Sequence, residues 1–184
     1  VSLDEPGGGQ WENALVLLVR PARPEDGEAV ADLHVRSWQV AYRGLLPDDY
    51  LDGLRPEDRM GRYSFGSDDP AAPSTFVATE HDAMRGFVTT GPSRDLDAPG
   101  AGELLALYVD PLAWGLGVGR CLMEHARAQL HETGFRHATL WVLVGNDRAQ
   151  RFYRADGWLP DGVRRTQDVW GVAVDEERLH RTLS

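Results

Sequence analysis

The chain has 184 residues, of which 42% are hydrophobic and 26% charged, as expected for one ordinary globular core and too short for two good ones. Nineteen basic against 29 acidic residues leave a net charge of −10, which argues against broad nucleic-acid binding because that needs a positive field. No apolar run approaches the roughly 20 residues that cross a bilayer, and a lone Cys121 excludes an internal disulfide and a cysteine-rich metal site.

Val1 to Gln10 is polar and glycine-rich, without a basic or an apolar signal segment. It reads as a tail, residues 1–12, ahead of a single domain over 13–184, and the expected location is cytoplasmic. Leu15 to Arg20 is a short apolar run and an expected first strand, ended by Pro21 and Pro24. Glu25 to Trp38 carries Val30, Leu33 and Ser37 at helical spacing. Short helices are expected over Asp48–Leu54 and Glu57–Tyr63, and a loop over Phe65–Ser74. Thr75–Thr79 and Met84–Thr90 suit a hairpin. After a second loop comes the strand Glu103–Val109, stopped by Asp110 and Pro111. Gly115, Gly117 and Gly119 follow, and then a helix to Thr133 with Val118, Leu122, Ala126 and Leu130 on one face. Gly134 stands at a helix-ending position. Ala138–Val144 is an apolar strand broken by Gly145. Asn146 is placed to cap a helix reaching Ala155, and Gly157 ends it. Trp158–Arg165 and Val169–Val174 form an expected antiparallel pair. The fold class is α/β (α+β): a mixed, mostly antiparallel sheet of six to seven strands with helices on both faces. The segment Glu103–Val144 should be a right-handed crossover joining parallel neighbours.

Strand, glycine turn and helix present unpaired amides to an anion, where the helix dipole is positive and no Cβ blocks approach. A phosphate-bearing ligand is one reading; a turn packed closely under the sheet is the other. The spacing G-x-G-x-G is not the dinucleotide fingerprint G-x-G-x-x-G, and there is no Gly-Lys-Ser/Thr loop for ATP.

Leu107-Tyr108-Val109-Asp110-Pro111, followed by Gly115-x-Gly117-x-Gly119-Arg120-x-Leu122, resembles the acetyl-CoA signature of the GNAT superfamily of N-acetyltransferases. Trp141-Val142-Leu143, Asn146-Asp147-Arg148-Ala149-Gln150-Arg151-Phe152-Tyr153 and Gly157-Trp158 are similar to its second signature, at the same separation. The order of elements agrees from Leu15 to Val174. One departure is Trp114, where the family usually has Gln or Arg.

The resemblance implies direct transfer: an amine attacks the acetyl thioester of acetyl-CoA, and CoA leaves as thiol. It implies cofactor contacts from Leu107, Tyr108 and Val109, from Trp114, Gly115, Leu116, Gly117, Val118, Gly119 and Arg120, and from Asn146 and Tyr153. Leu107 and Val109 would hold the pantetheine arm through main chain, and one N–H there would polarise the thioester carbonyl. Tyr153 shares a helix face with Asn146 and Ala149, and a phenol with pKa about 10 can protonate the departing sulfur. Its plainer role is packing beside Phe152. Glu103 is the expected general base if burial raises its pKa; it is read on the same face as Leu105, and its plainer role is a solvated strand start. His34, Trp38 and Tyr42 lie at helical spacing where the family's acceptor site is lined, though aromatics on a helix are most often core. Cys121 reads as core. No histidine pair has ligand spacing, so no metal is expected.

The expected activity is N-acetyl transfer to a primary amine, a small cationic metabolite being favoured by the aromatic helices and the acidic balance. A homodimer is a further expectation. The alternatives are an acetyl-CoA-binding sensor or assembly module without turnover, and a nucleotide-dependent enzyme.

Overall fold

The computed structural model describes residues 16–61, 63, 65–67, 69, 71–169 and 171–184. The expected tail over 1–12 lies outside them, as does Leu15 of the expected first strand. The elements in order are β1 (Leu18–Pro21), α1 (Gly27–Ala41), α2 (Asp48–Gly53), α3 (Glu57–Met60), β2 (Ser74–Glu80), β3 (Ala83–Pro92), β4 (Gly102–Val109), α4 (Val118–Glu132), β5 (His137–Leu143), α5 (Asp147–Ala155), β6 (Leu159–Val169) and β7 (Val172–Thr182). The seven strands make one sheet in the order β1-β2-β3-β4-β5-β7-β6. Every pairing is antiparallel except β4 with β5, the neighbours joined through α4.

Several boundaries differ from the sequence reading: α3 ends at Met60 and not Tyr63, and β6 runs Leu159–Val169 and not Trp158–Arg165. The first helix begins at Gly27, after a 3-10 turn over Pro24–Asp26, and runs on to Ala41. Arg20 fixes that start: its guanidinium donates to both oxygens of Asp26 at 2.7 and 2.8 Å and holds that carboxyl below its usual pKa range. The last strand is not Val169–Val174 but Val172–Thr182, extending through the charged run Asp175–Arg178.

Helices cover both faces. On the back face α4 lays Val118, Leu122, Ala126 and Leu130, all at most 1% exposed, against Leu104, Ala138, Leu140, Val142 and Leu179. A side chain such as leucine or valine contributes about 1.5–3 kcal/mol when fully buried, so this stripe anchors the helix. On the front face α1 and α2 pack Leu33, Val35, Trp38 and Leu51 toward Phe87, Tyr108, Leu143 and Val174.

Two features shape the centre of the sheet. β4 and β5 pair only from Gly102↔Ala138 to Leu104↔Leu140, and beyond that they part. In addition, β4 carries a bulge: Thr89 pairs with Ala106 but Thr90 pairs with Leu104, leaving Leu105 as the extra residue. A bulge reverses the alternation of faces. Leu107 and Val109 therefore pack on the back cluster with Leu104, while Ala106 and Tyr108 face the front. Glu103, on the opposite side from Leu104, faces the front as well. Its partner Gly91 would place a Cβ 3.4 Å from Leu105 Cδ1, so Glu103 and Leu105 share a face, and it is Leu107 and Val109, beyond the extra residue, that lie on the other.

Gly86 on β3 makes the close approach of α4 possible, since a Cβ there would lie 2.8 Å from both Leu122 Cδ1 and the Tyr108 carbonyl oxygen. Gly86→Ala should cost about 1–3 kcal/mol and lower the denaturation midpoint at unchanged slope, because the carbonyl cannot give way. Gly27→Ala, with nothing within 4 Å of its Cβ, should be neutral or mildly stabilising in the same measurement.

Candidate active site

A cleft of about 880 Å³ opens where β4 and β5 part. Its first wall is the outward edge of β4. The Asp110 N–H donates to Arg85 O of β3 at 2.9 Å, so the Val109 carbonyl of the same peptide points the other way, into the gap. It accepts there from Ser37 Oγ at 3.0 Å and from Trp114 Nε1 at 2.9 Å. The alternation of a strand turns the main chain of Leu107 into the gap too. Leu107, Tyr108 and Val109 all line the cleft, the last with its carbonyl already engaged.

The second wall is the glycine turn. Gly115 and Gly117 have φ of +80° and +87°, left-handed values that a side chain would strain. Gly117 precedes α4 without a side-chain cap, and the first helical bond is Cys121 N–H to Gly117 O at 3.0 Å. The amides of the first turn are thus turned out of the helix. Gly115, Gly117, Gly119 and Arg120 line the cleft, and a Cβ on Gly119 would touch the Phe152 ring at 3.4 Å. Leu116, 54% exposed, and Val118, buried in the core, are not among the residues that line the cleft.

α5 closes the third side. Asn146 accepts the Ala149 N–H at 3.1 Å and caps the helix. Tyr153 is 9% exposed and lines the cleft; burial, then the neighbouring Tyr108, push its phenol above the usual range, so it keeps its proton. Trp114 is more than a main-chain contact. Besides holding the Val109 carbonyl, its ring lies 3.2 Å below the Arg148 guanidinium. Arg148 lines the cleft and is a residue the sequence reading passed over.

The front half of the cleft is where the acceptor side is expected. Trp38 and Tyr42 line it, together with Trp141 of β5, Arg165 and Gln167 of β6 and Glu176 of β7. Glu103 lines it with both oxygens engaged: Oε2 accepts from the Arg94 N–H at 3.0 Å and from Arg94 Nε at 3.3 Å, and Oε1 from the Arg94 guanidinium at 2.7 Å. Glu103 is 1% exposed, so it is neither a solvated strand start nor a free carboxylate.

His34 does not reach the cleft. It is 1% exposed, stacked on Tyr108 at 4.7 Å between ring centres, with Nδ1 hydrogen-bonded to Tyr63 Oη. It supports the back of the Tyr108 ring instead of an acceptor. Burial, reinforced by Arg59, lowers its pKa to about 3. Between pH 6.5 and 3 the unfolded chain thus binds a proton that the native protein refuses, and stability must rise with pH across that window. Denaturation at pH 7 and pH 5 should show this loss on acidification, and His34→Gln should flatten it by up to about one proton.

The Acetyltransferase (GNAT) family profile matches residues 28–158. The uncharacterized N-acetyltransferase YuaI of Bacillus subtilis (strain 168) is 31% identical over 166 residues, 89% of this chain and 92% of that protein. The peptidyl-lysine N-acetyltransferase YjaB of Escherichia coli (strain K12) is 29% identical over 156 residues, 84% of this chain and 90% of that one. The PaiA N-acetyltransferase of Thermoplasma acidophilum, solved in complex with coenzyme A, shares the fold with a TM-score of 0.65 at 20% identity, over 88% of this chain and 98% of that one. With the parted strands, the glycine turn and both signature blocks in one cleft, this chain belongs to the GNAT family and is an acetyl-CoA-dependent N-acyltransferase.

Proposed function

We propose that the protein moves the acetyl group of acetyl-CoA to the primary amine of a small cationic acceptor, by direct attack and without an acyl-enzyme. The observation that carries this reading is the single cleft that joins the opened edge of β4, the first turn of α4 and the buried phenol of Tyr153. The pyrophosphate takes the amides from Gly115 to Arg120, with the Arg120 and Arg148 charges beside it. The pantetheine arm lies along β4 as an added strand, its amide groups on the main chain of Leu107 and on the Val109 N–H. A Leu107 N–H aimed at the thioester oxygen stabilises the charge that develops there. Cofactor chemistry ends when the C–S bond breaks, and Tyr153 donates its proton to the sulfur.

The acceptor enters from the front. Glu103, Glu176 and Asp168 line that side with Tyr42 and Trp141, and carboxylates with aromatic faces favour an ammonium group. YjaB acts on peptidyl-lysine, whose side chain ends in the same primary ammonium, so a lysine-bearing peptide is the second acceptor to test. Arg94 holds Glu103 as a fixed negative charge at the base of the gap.

Desulfo-CoA at millimolar excess should raise the thermal midpoint of the protein, since it binds only the folded state. Free-thiol release from acetyl-CoA should then depend on added amine. Tyr153→Phe should lower kcat by about 10²-fold with CoA affinity unchanged, the size expected for loss of one positioned acid. Binding without amine-dependent thiol release identifies a sensor and overturns the enzymatic assignment.

A further inference from the structure

The front of the cleft holds two glutamates in different circumstances. Glu103 is enclosed in a fork by Arg94, with a hydrogen bond on each oxygen. Freeing it for proton transfer would leave a buried carboxylate without its partners, which is costly, whereas the Arg94 side chain is 66% exposed and would turn to water. Glu176 on β7 is held from one side only. Arg165 Nε donates to its Oε2 at 2.8 Å, and Gln167 Nε2 donates to the same oxygen at 2.9 Å. Neither bond reaches Oε1, and none of the described residues donates to it. The Glu176 side chain is 14% exposed and lines the cleft, so Oε1 is the side that meets the open space. An ionised carboxylate offers about four lone-pair directions, and those on Oε1 remain for a ligand.

The groups around Glu176 are themselves immobilised. The Arg165 guanidinium lies 3.8 Å above the Trp141 ring. Trp141 Nε1 donates to Asp95, which Arg178 binds together with Asp97 and Asp161. Facing Glu176 from the C-terminal cap of α1 and from β4 are the phenols of Tyr42 and Tyr108, both held protonated above their usual range chiefly by burial. Neither phenol can take a proton from an amine. Among the described carboxylates on this face Glu176 is the one held by side chains that are themselves fixed; Asp168 is exposed and accepts the Gly171 N–H at 2.9 Å.

We propose that Glu176 Oε1 is the group that receives the acceptor's ammonium and removes its proton. The inference rests on the acetyl-transfer reading above, and it sets the acceptor class as a primary alkylammonium. A quaternary ammonium has no proton to give, and a guanidinium holds its own too tightly. The step balances as follows. R–NH₃⁺ gives one proton to Glu176, and the freed lone pair forms the N–C bond to the thioester carbon. The C–S bond breaks with its electron pair going to sulfur, which takes the Tyr153 proton. The surplus proton on the new amide nitrogen returns to the phenolate, and Glu176 loses its proton to water at the mouth of the cleft. The sum is acetyl-CoA plus ammonium giving amide, CoA thiol and one proton.

The test compares full-length wild type, Glu176→Gln, Glu176→Asp and Glu103→Gln, with 1,4-diaminobutane and Nα-acetyl-lysine methylamide as the amine probes. Thermal shift with desulfo-CoA reports cofactor binding, and thiol release reports turnover from pH 6.5 to 10. Gln keeps the shape and still accepts from Arg165, so the fold and the CoA shift should be retained. Glu176→Gln should lose at least 30-fold in kcat/KM for the amine at pH 7.5. Its kcat/KM should climb tenfold per pH unit toward the amine's own pKa of about 10, while wild type levels off earlier. Glu176→Asp should recover part of the rate. If Glu176→Gln stays within threefold of wild type on an amine that wild type acetylates, the assignment to Glu176 is wrong and the acetyl-transfer reading stands. If Glu103→Gln alone abolishes turnover with its fold and CoA shift intact, the base is Glu103. If wild type binds desulfo-CoA but releases no thiol with either amine, the acetyl-transfer reading falls and this inference with it.

Discussion

Everything in this molecule depends on two parallel strands that stay hydrogen-bonded for only three residues. From Leu104 and Leu140 onward, β4 and β5 diverge. An opened edge inside a sheet is normally a liability, because its N–H and C=O groups lose their partners. Here the loss is managed from both ends. At the far end, Ser37 and Trp114 satisfy the Val109 carbonyl. Between, the main chain of Leu107 and the Val109 N–H face the gap, where the pantetheine arm is proposed to lie. The back face stays closed, since α4 and α5 pack across the gap with Phe152 against Gly119 and Tyr153 in the core cluster.

The front face follows a different logic. It is built from charges that satisfy one another, with aromatic plates between them: Arg94 on Glu103, Arg165 on Trp141 and Glu176, and Arg178 on three aspartates. Arg178 is 6% exposed, and its carboxylate partners raise its pKa further, so it is a permanent cation in a nearly dry place. Such a network fixes side chains at the cost of desolvating them. The network gives rigidity to the front wall of the cleft, which the proposed transfer, being sensitive to placement, needs.

Much of this was legible in the residues. The glycine turn, the apolar stripe of α4, the apolar strand β5 and the Asn146 cap each follow from a local rule, and each stands where those rules put it. What could not be read depended on non-local pairing. The extra residue at Leu105 exists only because β3 skips it, and that skip puts Glu103 on the opposite face from Leu107 and Val109. The charged run Asp175-Glu176-Glu177-Arg178 lies beyond the expected end of the last strand at Val174, yet the strand continues through it and alternation sends Glu176 and Arg178 inward to charged partners. His34 shares a helical stripe with Trp38 and Tyr42, but Tyr108 stands between it and the cleft. Trp114 reads as a departure from a motif, and only the fold reveals its indole as a bridge between β4 and α5.

The strand order carries a consequence for how the chain comes together. β7 follows β6 in sequence but is inserted between β6 and β5. Until β7 has left the ribosome, the long rim of β5 from His137 to Leu143 has nothing on that side, and β6 has no sheet to join. Emerging chain N-terminal to it can collapse around α4, but it exposes an apolar, unpaired strand while it waits. The final hairpin arm therefore acts as a latch, and truncation or slow translation within it would leave a sticky half-sheet for chaperones to shield.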